Sequence, residues 1–123
     1  MLSEAKIVAF AATKDGARSR AFYEGVLGLR CQSDDSFAIV FDATGTELRI
    51  QKVDGLRPQP HTVLGWSVAS IEAAMAELAL RGVTFERFAF LAQTASGAWT
   101  SPNGAKVAWF KDPDGNLLSL TQR

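Results

Sequence analysis

Phe110-Lys-Asp-Pro-Asp-Gly-Asn-Leu-Leu-Ser-Leu-Thr-Gln122 is the stretch whose reading decides the fold. The segment that leads into it, Lys106 to Phe110, reads as a strand. Asp112-Pro-Asp-Gly115 is a tight turn, because proline presets φ, aspartate caps locally and glycine accepts a positive φ. Leu117 to Thr121 returns as a second strand, so the whole is a C-terminal hairpin. Within that strand Leu118 and Leu120 share one face, and Leu117, Ser119 and Thr121 share the other. The leucine face suits a helix packed beneath a sheet, and the mixed face is where a ligand can sit. A turn of this length also sets Trp109 across the hairpin from Ser119, on the ligand side.

Upstream of the hairpin, Val83 to Phe88 and Ala98 to Ser101 read as strands around a loop of small residues, Ala89 to Gly97. Ser70 caps a helix over Ile71 to Arg81, with Ile71, Ala74, Met75 and Leu78 inward and Gly82 as its stop. Thr62 to Val68 is the strand that opens this half. Asp54 to Pro60 is a connector, stiffened by two close prolines that cannot join a ladder.

The same order fills the first half. Ala5 to Thr13 is a strand, and Asp15 caps a helix from Gly16 to Val26 with Ala17, Ala21, Phe22 and Val26 on one side. Gly28 ends it. Strands follow at Leu29 to Gln32, Phe37 to Phe41 and Thr46 to Val53, the last two joined by the hairpin loop Asp42-Ala-Thr-Gly45. Helix cap and terminal glycine fall at matching offsets, Asp15 to Gly28 and Ser70 to Gly82. The chain therefore reads as one α+β domain built by internal duplication of a β-α-β-β-β module. Module one covers about 5–53, the linker 54–60 and module two about 61–123.

At 123 residues the chain can bury a real core, and 47% hydrophobic with 21% charged residues is the ordinary balance of a globular protein. Thirteen basic and thirteen acidic residues cancel without a basic stripe, so nucleic acid is not an expected partner. No apolar run reaches the length of a membrane span and no signal pattern opens the chain, so the expected location is cytoplasmic, away from any membrane. Cys31 is the only cysteine. Without a CxxC partner or a flanking base it reads as a structural, half-buried residue rather than a reactive thiol.

Phe22-Tyr-Glu-Gly-Val-Leu-Gly-Leu29 behind the Asp15 cap, followed by Asp112-Pro-Asp-Gly-Asn116 and a short strand, resembles the vicinal oxygen chelate superfamily. That group includes glyoxalase I, extradiol dioxygenases, fosfomycin-resistance enzymes and bleomycin-resistance binding proteins. The resemblance covers nearly the whole chain. It implies curved mixed sheets around a cavity, with the helices on the outer faces, and a homodimer. It also implies, for the family's enzymes, a divalent metal held by side chains from four strands, usually histidine, glutamate or glutamine. Placed by the family's motifs, those positions fall here on Val8, Arg49, Val63 and Ser119. Two valines, a cation and a hydroxyl are not a metal-ligand set. The resemblance therefore implies a metal-independent protein with no cofactor that binds a small organic molecule. The neutral net charge departs from the acidity expected of a protein that sequesters a cationic glycopeptide.

Strand alternation gives the same faces independently. Leu48 and Ile50 oppose Glu47, Arg49 and Gln51. Leu64, Trp66 and Val68 oppose Val63, Gly65 and Ser67. The expected cavity lining is Phe10, Arg49, Ser67, Trp109 and Ser119. Arg49 has two readings: a bidentate partner for a carboxylate or phosphate, or a strand arginine paired with Glu47. Trp109 and Phe10 can stack on a planar ligand or serve as packing residues. Phe88-Ala-Phe90 is a lid or an interface patch. Tyr23 is expected under the sheet, while Asp112 and Asp114 serve the turn. The enzyme alternative is a glyoxalase-like lyase or a dioxygenase-like protein holding Zn, Ni, Mn or Fe through Glu47 and His61, the sole histidine, with the register shifted by two residues.

Overall fold

A computed structural model describes all residues, 1–123. The chain divides into two compact units, Met1–Arg57 and Pro58–Arg123, at a boundary inside the proline-bearing connector.

The first unit opens with a short 3-10 turn, Leu2–Glu4, and then runs β1 (Val8–Thr13), α1 (Gly16–Arg20), β2 (Arg30–Asp34), β3 (Ala38–Ala43) and β4 (Thr46–Lys52). The strand order is β1-β4-β3-β2, with β1 parallel to β4 and the other pairs antiparallel. Thr44 and Gly45 take φ of 51° and 86°, the pair of positive values that a tight hairpin between twisted strands requires. The Asp42 carboxylate accepts the Gly45 N–H at 2.8 Å and holds that turn. Ile39, Phe41, Leu48 and Ile50 share one buried face, and β3 is covered on both sides, since Ala38 and Val40 on its other face are buried as well.

The helix of this unit turns a different side inward from the one expected. Asp15 caps it by accepting the Arg18 N–H at 3.1 Å, but beyond Arg20 the chain widens into a π-helical segment, Ala21–Val26. The Leu27 N–H there reaches back to the Phe22 carbonyl at 2.9 Å, while the inward side is already set upstream, where Ala17 is exposed and Ser19 buried. Tyr23 and Ser19 are fully buried, Tyr23 with its ring 5.8 Å from that of Phe41. Phe22 is only half-buried, and Ala17 and Ala21 are exposed.

The second unit runs β5 (Thr62–Ser67), α2 (Ile71–Leu80), β6 (Trp99–Thr100), β7 (Lys106–Lys111) and β8 (Leu117–Gln122). Its order, β5-β8-β7-β6, repeats that of the first unit, with the first strand again parallel to the last. The two units are thus tandem βαβββ modules. The C-terminal hairpin has the expected register, Trp109 opposite Ser119 and Phe110 opposite Leu118, and Leu118 and Leu120 are buried. In its turn the Asp112 carboxylate accepts the N–H groups of Asp114 and Asn116 and the Asn116 amide, while Gly115 takes φ of 90°. Ser70 caps α2 by accepting the Ala73 N–H, and Gln122 at the chain's end accepts the N–H of Ile71. Ile71 and Met75 form the buried stripe of α2, and no helix is long and apolar enough to cross a membrane.

The expected strand over Val83 to Phe88 does not form. Only a single bridge, Phe85 to Phe110, and one backbone bond, Glu86 N–H to the Trp109 carbonyl at 2.8 Å, fasten it to β7. The rest of that edge belongs to Trp99–Thr100, a shorter strand than the expected Ala98 to Ser101. Once the edge of β7 is satisfied by two short pieces, the chain between them leaves the sheet.

Candidate functional site

In the first unit, Phe10 lies beside Arg49 across the parallel β1–β4 pair, and Val40 flanks Arg49 on its other side. These three share the sheet face away from α1. Val8 and Phe10 are 41% and 50% exposed, so this face is open along β1, while Val40 is buried. Arg49 donates to the Glu47 carboxylate at 3.3 Å. The guanidinium therefore has an acidic partner on its own strand, and both groups remain partly in water, where such a pair contributes under about 1 kcal/mol.

In the second unit, the face carrying Trp109 is a groove. Two adjoining hollows of about 380 Å³ each share Pro60, Phe88 and Leu117. One adds His61, Thr62, Phe90, Leu91, Trp99 and Trp109 to its lining, and the other adds Glu86, Lys111 and the Gly115 turn. The β6–β7 register, Trp99 opposite Val107, puts Trp99 on the face of Trp109, with ring centroids 6.0 Å apart. Phe88 stands edge-on to Trp109 at 5.4 Å and 89°, and Phe90 continues the wall 5.7 Å from Phe88.

A polar scaffold behind the aromatic wall fixes the segment between β7's two edge partners. The Gln93 side chain accepts the Phe88 N–H at 2.7 Å and donates to the carbonyls of Glu86 and Gly97 at 2.9 and 2.8 Å. Arg87 donates to the carbonyls of Thr94 and Ala95 at 3.0 and 3.3 Å. A loop whose side chains close its own backbone bonds is a wall rather than a flap.

Of the expected lining residues, Trp109 sits in this groove. Ser119 pairs with Trp109 but is 7% exposed, its side chain leaning over Gly65, where an added Cβ would meet the Ser119 Oγ at 2.8 Å. Ser67 is exposed on the outer strand β5, and Phe10 and Arg49 belong to the open face of the first unit. The sequence reading missed Trp99 and Leu91 as groove residues, put Leu117 on the ligand face, and left Phe88 and Phe90 open between a lid and an interface patch. Their one legible signal was a cluster of large apolar residues on a loop, Phe88, Phe90 and Leu91, where turn chemistry alone requires none.

The four positions at which the resemblance places metal donors hold Val8 and Arg49 in the first unit and Val63 and Ser119 in the second. Val63 falls at an irregularity in the β5–β8 register, between Thr62 and Leu64. This set offers neither imidazole nor carboxylate and does not fit a divalent ion. Of the alternative pair, Glu47 is engaged by Arg49, and His61 lines the aromatic groove. No group of three or more His, Cys, Asp or Glu side chains is placed to hold an ion.

Comparison with known proteins bears on the fold and the family. A bleomycin resistance determinant encoded on the transposon Tn5 is similar in structure at a TM-score of 0.75 and 20% identity, covering 96% of this chain and 97% of that one. A lactoylglutathione lyase from Agrobacterium tumefaciens aligns at a TM-score of 0.74 and 14% identity, over 97% and 93% of the two chains. A superfamily member from Sphaerobacter thermophilus aligns at 0.71 and 25% identity, over 95% and 97%. No protein of curated function matches the sequence. The family profile matches residues 6–120, and with the duplicated strand order it makes the chain a member of the Glyoxalase/Bleomycin resistance protein/Dioxygenase superfamily.

Proposed function

We propose that this protein is a metal-independent binding protein for a small organic molecule. The observation that supports the reading is the side-chain set at the family's donor positions, Val8, Arg49, Val63 and Ser119, which offers shape and one cation but no ligand sphere. Binding requires only a concave apolar surface with a few polar groups, and the groove beside Trp109 is of that kind. The proposed contact residues are Ser67, Trp109 and Ser119 in the second unit and, separately, Phe10 and Arg49 in the first: Trp109 offers a stacking face to a planar ligand and Arg49 a two-pronged donor to an anionic one. The fold is shared with a bleomycin resistance determinant, but the net charge of zero argues against a cationic glycopeptide as ligand. A homodimer in the cytoplasm belongs to the same reading. The homodimer is supported by the open apolar residues Val8 and Phe10 on an edge strand.

The test is metal retention. Purified protein is exposed to zinc, nickel, manganese and iron, dialysed, and assayed for bound metal, and content far below one ion per chain is expected. Stoichiometric retention would overturn the reading in favour of a metalloenzyme using Glu47 and His61. Light scattering at micromolar concentration should give the dimer mass.

A further inference from the structure

We propose, resting on the binding reading above, that the groove of the second unit is a pre-formed slot for the uncharged, flat ring portion of the ligand. It takes one or two fused rings, and Gln93 is the residue that positions its wall. Three observations carry this. The lining is built around four aromatic rings, Phe88, Phe90, Trp99 and Trp109, in edge-on and tilted contacts that leave ring faces and edges for another flat ring. The carboxylate and ammonium in the lining, Glu86 and Lys111, lie 3.5 Å apart and offset each other, so a charged ring gains little there. Hollows of about 380 Å³ lie at the small end of the range for organic ligands.

The positioning role follows from the hydrogen bonds of Gln93. Its amide joins the Phe88 N–H and the Glu86 carbonyl on one limb of the loop to the Gly97 carbonyl on the other, and Arg87 adds bonds to the Thr94 and Ala95 carbonyls. Phe90 is 82% exposed and stands at the outer end of the wall, its ring 5.7 Å from that of Phe88, whose backbone Gln93 holds. A wall fixed before binding spares the ligand the cost of ordering it.

The probes are 2-naphthol and its fully saturated decahydro counterpart, titrated calorimetrically into EDTA-treated protein and into the same protein resupplied with zinc. Naphthol should bind at least tenfold more tightly than the saturated compound in both preparations. Phe90→Ala, at an exposed position that folding does not need, should weaken naphthol roughly three- to tenfold. Gln93→Leu should weaken naphthol by a similar factor, speed amide exchange over residues 88–98 and leave the saturated probe unchanged. A merely structural Gln93 would lose both probes alike. Equal affinity for the two probes, or wild-type naphthol binding in both variants, overturns the slot while leaving metal-free binding intact. A ring preference that appears only with zinc supports the slot and overturns the metal-independent reading.

Discussion

The two units share a strand order and differ in how they complete one edge of the sheet. In the first, residues 27–29 join the helical segment to β2, and Arg30–Asp34 runs along β3. In the second, residues 81–98 separate α2 from β6, and the edge of β7 is divided between Phe85–Glu86 and Trp99–Thr100. Both arrangements give the inner strand backbone partners, which is all the ladder requires. The divided edge releases a stretch of chain, and that stretch brings Phe88, Phe90 and Leu91 into the groove lined by Trp109. The undivided edge leaves a plain face bearing the Glu47–Arg49 pair. Duplication thus keeps the buried face and the order of strands while the open faces go separate ways, because only the core is fixed by packing.

The largest expected effect tests the rotated helix of the first unit. Tyr23→Ala should lower the free energy of unfolding by about 3–5 kcal/mol, as for other large buried aromatics. Phe22→Ala should cost less than half as much in the same urea titration. Equal costs would put Phe22 back on the inward face and restore an ordinary α-helix.

Next comes the contrast between the two open faces. If Arg49 contacts the ligand's anionic group, Arg49→Met should weaken that ligand tenfold to a hundredfold, about 1.5–3 kcal/mol. Stability should move by no more than about 1 kcal/mol, since the pair it leaves is exposed. Glu47→Gln should raise anion affinity severalfold by freeing the guanidinium. A loss of several kcal/mol of stability on Arg49→Met, with affinity unchanged, would make Arg49 a structural residue.

The divided edge has its own weak point at Gly97, where φ is 112° and an added Cβ would meet that of Phe85 at 3.2 Å. Gly97→Ala should cost about 1–2 kcal/mol from the backbone conformation. It should also raise protease sensitivity within residues 88–98 without affecting the first unit. Unchanged cleavage there would show that the loop does not depend on its glycine.

The smallest effect sharpens the undivided edge. Asp34 in β2 is held below the usual carboxylate range chiefly by the Lys52 ammonium at 2.6 Å, which outweighs the opposing effect of desolvation, with a lesser contribution from Arg20. A lowered folded-state value means that this stabilisation is full above about pH 4, the ordinary aspartate value, and is lost as pH falls through the folded one. Asp34→Asn should therefore cost under about 1 kcal/mol at neutral pH and flatten the acid limb of the stability curve. An acid limb identical to the parent's would assign that limb to other carboxylates.

Much of the fold was legible in the chain because its signals are local. The caps Asp15 and Ser70, the stops Gly28 and Gly82 and the turns at Gly45 and Gly115 act within a few residues, and the structure places each as expected. The alternation of Leu64 and Trp66 against Val63 and Gly65, and the Trp109–Ser119 register, needed only a period of two and a turn length. Tyr23 lies under the sheet as its residue type suggested, whereas the inward placement of Ala17, Ala21 and Phe22 failed. The strand expected at Val83 to Phe88 failed as well: apolar residues there satisfy a wall as well as they satisfy a ladder.

The sequence by itself determined the duplicated order and the core leucines of the last strand, which follow from residue identity and near-neighbour spacing. Only the tertiary structure decided that Arg49 meets Glu47, that Trp99 stands beside Trp109, and that Gln93 ties Phe88 into the groove wall. The contacts of Trp99 and Gln93 depend on which stretch of the free edge of β7 each segment occupies. Edge occupancy is a competition between segments for the same backbone groups, settled by packing across the sheet rather than by local preference.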